Sequence, residues 1–176
     1  MCIKILNTSS LLSIIFILFF FNYSLSQDDF PEAYLGKYSG TLKINNVKGS
    51  QEIPMEFHLL VTDSLHKFDY VIVYGEGEKK QTRNYSLIKK EDGSFAVDEN
   101  NGIILLDSFF ENTLYSLFEV NNNLLTTFVT FKEKSAIWEV TFAPKNKQEI
   151  SYAKEDSTKV ISYPITTRQK AILKKQ

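Results

Sequence analysis

The sequence predicts an all-β fold: an antiparallel up-and-down meander of about 8–10 strands closing into a barrel, with short helical segments at its ends. Three observations predict it. From Gly36 to Phe142 apolar and polar residues alternate, instead of the apolar ones recurring every three or four positions. Turn-forming clusters interrupt this alternation at short intervals. Nothing between the clusters has the length of a crossover helix, so neighbouring strands pair antiparallel.

The chain opens with MCIKILNTSSLLSIIFILFFFNYSLSQDD, in which Lys4 precedes a strongly apolar run from Leu11 to Phe21. Small residues follow at Ser24 and Ser26, the layout of a secretory signal peptide. The apolar run is short for a membrane span, which needs roughly 20 residues. Cleavage after Ser26 is expected, leaving residues 27–176 as a single domain with a strand core at 36–143 and a C-terminal extension at 144–176. Cys2, the only cysteine, leaves with the signal, so no disulfide staples the mature chain. The protein is therefore expected to be exported, periplasmic or extracellular, without a stable membrane anchor.

DFPEAYLG follows, with Pro31 placed to begin a short helical turn and Gly36 to end it, a plug for one mouth of a barrel. LGKYSGTLKI then reads as the first strand, with Tyr38 near the barrel floor. In QEIPMEFHLLVT the residues Ile53, Met55, Phe57, Leu59 and Val61 share one face of a strand. Phe68, Tyr70, Ile72 and Tyr74 align in the next, and Ala136, Trp138, Val140 and Phe142 in the ninth. Asp92-Gly93 and Asn101-Gly102 suit hairpin turns because both pairs tolerate positive φ. Beyond the ninth strand the chain turns polar. A tenth strand is placed at TKVISYP, and TTRQKAILKK carries helix formers behind a cap at Thr166 or Thr167.

LGKYSGTLKI resembles the Gly-x-Trp opening strand of the calycins, the lipocalin and fatty-acid-binding group, with Tyr38 in the tryptophan's place. The meander from Gly36 to Phe142 fits that group. Two departures limit the likeness. INNVKGSQEI is too short for the helical lid of a fatty-acid-binding protein, and no histidine follows His66 to serve as a late haem ligand.

The formal net charge is −1, which gives no general reason to bind nucleic acid. The charges are uneven, however: no acid follows Asp156, while Lys159, Arg168, Lys170, Lys174 and Lys175 make the tail basic. Catalytic signatures such as Gly-x-Ser-x-Gly, His-Glu-x-x-His and Cys-x-x-Cys are absent. A metal site at Glu56, His58 and His66 would need all three to converge, and alternation turns His58 away from the apolar set. The oxygen-rich VDENNG lacks calcium-loop spacing. No cofactor and no metal are expected.

Arg83 is the most suggestive position. Gln81, Arg83, Tyr85 and Leu87 share a face, and if Tyr85 and Leu87 point inward Arg83 does too, a partly shielded anchor for an acidic head group. The opposite register leaves it in solvent, and a third arrangement pairs it with Asp107 or Glu119. Tyr70, Tyr74, Tyr85 and Tyr115 would add hydroxyls to an apolar lining, with Trp138 beside them. The late aromatics Phe109, Phe110, Phe128 and Phe131 divide between core and cavity. The expected function is a non-enzymatic binding protein for a small apolar or amphipathic ligand. The alternative is a structural or interaction module of the cell envelope with a filled core.

Overall fold

The computed structural model describes residues 30–176; the signal segment expected at 1–26 lies outside the described residues. The chain opens in a 3-10 turn at Glu32–Tyr34, the plug expected between Pro31 and Gly36. Nine strands follow in sequence: β1 (Gly36–Asn46), β2 (Gly49–Val61), β3 (Lys67–Tyr74), β4 (Gln81–Lys89), β5 (Phe95–Asp98), β6 (Ile104–Phe110), β7 (Thr113–Val120), β8 (Asn123–Lys132) and β9 (Ser135–Pro144). Each is antiparallel to its neighbour, as the short connections require. Gly93 and Gly102 take positive φ in their hairpin loops.

The C-terminal residues correct the expectation of a helix. Residues Thr167–Lys175 form a strand, β12, which pairs with β1 on one side and β9 on the other and closes a ten-strand barrel. Gln169, Lys170, Ala171 and Leu173 favour a helix in isolation. Here β1 and β9 present unpaired edges to them, and filling two edges at once outweighs propensity. Ala171 and Leu173 are buried inside, while Arg168 and Lys170 face outward and pair with Glu139 at 2.6 and 3.2 Å. The basic tail is therefore part of the wall. Gly40 makes the seam close: a Cβ there would lie 2.5 Å from the Ile172 carbonyl oxygen.

The strand expected at TKVISYP exists as β11 (Lys159–Ser162), but it pairs only with β10 (Glu149–Tyr152). The two form an exposed hairpin within the connection from β9 to β12 and add nothing to the barrel.

Aromatic side chains fill one end of the barrel. Phe30 stacks on Phe109 at 3.9 Å and packs edge-on to Phe95 at 4.9 Å. Phe131 contacts both Phe30 and Tyr34, at 5.3 and 5.0 Å. Tyr38 donates a hydrogen bond to the Tyr34 carbonyl, tying the plug to β1. Phe57 lies at the bottom of this cluster, touching Tyr38, Tyr70, Phe131 and Trp138.

Candidate functional site

Beyond Phe57 the barrel is not filled. A cavity of about 840 Å³ occupies its other half. Tyr70 and Trp138, with ring centroids 6.2 Å apart, form its floor. Leu42, Ile53, Ile72, Leu105, Phe118, Leu125 and Phe142 supply apolar walls, and Glu76, Lys79, Gln81, Arg83 and Glu99 a charged rim. Ten strands enclose more room than the eight whose side chains nearly fill a small barrel.

The alternation places most of the expected residues here. Tyr70, Tyr74, Tyr85, Arg83 and Trp138 all line the cavity. Burial holds the Tyr70 hydroxyl well above its usual range, and the nearby Asp107 charge adds to the effect. Burial also pushes Tyr74 up to about 12, reinforced by Tyr85 and opposed by Arg83. Tyr85 is raised by burial and by Glu99, again against the pull of Arg83. All three tyrosines are thus neutral hydrogen-bonding groups at physiological pH.

Arg83 faces inward by register yet stands exposed at the mouth, not shielded as expected of an anchor. Among the described residues its guanidinium has no hydrogen bond or ion pair. It pairs with neither Asp107 nor Glu119, and Glu119 instead accepts from Lys145 at 2.7 Å.

Tyr115 corrects the sequence reading outright. In β7 the inward set is Leu114, Ser116 and Phe118, so Tyr115 points away from the cavity. Its ring lies against Phe110 and Phe128 on the outer surface, at 6.3 and 5.4 Å. Of the late aromatics, Phe109 and Phe131 belong to the plug, and Phe110 and Phe128 to the outside.

His58 accepts or donates a single contact, to Glu56 at 2.9 Å, while His66 occupies the β2–β3 turn with φ 60°. Among the described residues no three metal-ligating side chains converge.

The site residue whose weight the sequence reading missed is Asp107. It lies on β6 between Leu105 and Phe109, is 6% exposed, and turns into the cavity. Its Oδ1 has no hydrogen-bond partner. Burial pushes its carboxyl up to about 6, and the Ser116 hydroxyl across the β6–β7 pair opposes the shift without cancelling it. Trp138 Nε1 is likewise buried without a partner. Buried polar atoms are almost always paired, so these two are exceptions, and both atoms lie within the packed wall without surface open to the cavity.

No protein-family model matches the chain and no curated protein matches it in sequence, so its classification rests on the molecule itself: a closed, ten-strand antiparallel barrel of a form consistent with the calycin group.

Proposed function

We propose that the chain is an exported, non-enzymatic binding protein of calycin type that carries a small apolar or amphipathic ligand inside its barrel. The observation that supports this most is the cavity, whose apolar walls and few inward polar side chains, Asp107 and three tyrosines, suit a mostly hydrophobic molecule with a polar group. Its volume falls within the range of about 300–1,000 Å³ common for small-molecule sites. Export rests on the signal-like segment at 1–26, with residues 27–176 released in soluble form to the periplasm or the medium.

Native mass spectrometry of the mature protein tests the reading. An added mass that disappears on denaturation is expected, and its value identifies the chemical class. A bare protein whose Trp138 fluorescence is also unmoved by a panel of alkyl and aryl compounds would sink it.

One observation favours the alternative, an interaction module of the cell envelope. Ile104, Leu106, Phe110 and Leu117 are exposed on the outer face of β6 and β7, an apolar stripe of the kind that meets partners. The cavity counts against the filled core such a module would have. If the purified protein proves empty and takes up no probe, this stripe is the surface to mutate.

A further inference from the structure

We propose that the ligand's polar group is a protonated amine, seated deep in the cavity against the Asp107 carboxylate. The inference rests on the ligand-binding reading above and names the ligand's class.

The argument begins with an unpaired acid. A buried carboxylate without a counter-charge is costly, and proteins pair such groups or keep them for a purpose. No lysine, arginine or histidine acts on Asp107. The groups facing it are neutral: Ser116 from β7, whose single hydroxyl proton is shared between Asp107 and the Leu106 carbonyl 3.2 Å away, and Tyr70 from β3. Trp138 from β9 completes the floor beside Tyr70. A carboxylate next to two aromatic rings is chemically suited to an organic cation, which forms a charge-assisted hydrogen bond to the acid and lies against the ring faces.

Competing head groups fit less well. A fatty acid would bring a second negative charge to Asp107, and the cations that line the cavity, Lys79 and Arg83, are out at the wet rim. An alcohol satisfies the hydrogen bond but leaves the charge unpaired.

The test compares dodecylamine, 1-dodecanol and dodecanoate, which share a chain and differ only in head group. Binding is followed by fluorescence of Trp138, the sole tryptophan, and by calorimetry at pH 7.5. The amine should bind at least about tenfold tighter than the alcohol, with dodecanoate weakest. Asp107→Asn should erase the amine's advantage over the alcohol. Lowering the pH from 7.5 to 5.0 should weaken the amine alone, because the carboxyl is protonated while an alkylamine stays charged.

Dodecanoate binding as tightly as the amine, or an amine preference that survives Asp107→Asn, would overturn the proposal. Uptake of the alcohol without any preference for the amine removes the amine assignment and leaves the ligand-binding reading standing. If none of the three binds, both fall. Circular dichroism of Asp107→Asn, and continued uptake of the alcohol, separate loss of the charge from loss of the fold.

Discussion

The two ends of the barrel are built from the same alternation yet reach opposite states. At the closed end the inward positions of β2, β5, β6 and β8 hold Phe57, Phe95, Phe109 and Phe131, and the N-terminal turn adds Phe30 and Tyr34. Their rings touch one another. At the open end the inward positions mix Leu, Ile and Val with Tyr, Phe and Trp rings around one buried acid, and among the described residues the plug has no counterpart. The rings of the closed end meet one another around Phe30, whereas those of the open end are spread around the wall and leave the axis empty. One end is thus a core and the other a container. Stability should concentrate in the first and selectivity in the second.

That division predicts its largest effect at Phe131, which is 1% exposed and packed against Phe30, Tyr34 and Phe57. Phe131→Ala should cost about 3–5 kcal/mol, the range for deleting a fully packed ring. Phe118→Ala, on the cavity wall, only widens a space already present and should cost far less. Urea denaturation of both variants, followed by far-UV circular dichroism, makes the comparison. Equal losses would show that the cavity wall is as tightly packed as the plug, and the two-end picture would fail.

Asp107 sharpens the contrast from the other side, since a container for a charged group carries a cost while empty. An aspartate in the unfolded chain titrates near 3.9. In the folded protein it titrates at about 6, because burial disfavours the charge. Between these values the folded state holds a proton that the unfolded state has released. Stability should therefore fall as pH rises from about 4 to about 6 and stay level above, a total of up to about 3 kcal/mol. Asp107→Asn should remove that slope and be the more stable protein at pH 7.5, with little difference at pH 4. Parallel urea titrations across this range check it. A wild-type slope that persists in the variant would assign the titration to another group.

The same contrast explains what could be read in the sequence. In β2 one face is apolar and the other mostly polar, and in β3 and β9 the aromatic side chains all fall on one face, so alternation fixes the inward set, and Tyr70, Tyr74 and Trp138 follow from it. In β7 both sets are apolar, with Leu114 and Phe118 inside and Tyr115 and Leu117 outside. Residue type then carries no register, and Tyr115 was drawn to the wrong face. In β6 polarity is inverted: Asp107 points in while Ile104, Leu106 and Phe110 point out. The sequence offers Asp107 only as one possible internal partner of Arg83, and the pairing with β5 and β7 is what fixes it in the wall. The final strand was hidden differently. Its composition favours a helix, and what makes it a strand is the pair of edges left by β1 and β9, which are remote from it in sequence.

The smallest effect should come from the rim. Arg83 faces the cavity but is solvated and unpaired among the described residues, so its charge reaches a deep ligand through screened solvent. Arg83→Ala should leave stability unchanged and alter dodecylamine affinity by less than about fivefold, as for exposed charges in general. The direction should be a slight tightening, because a like charge is removed from the entrance. That gain should shrink as salt is raised. The measurement is the same fluorescence titration at low and high ionic strength. A large loss of binding for every probe would mean that ligands are held at the mouth, and the floor of Tyr70, Trp138 and Asp107 would then lose its claim to be the place where selectivity is set.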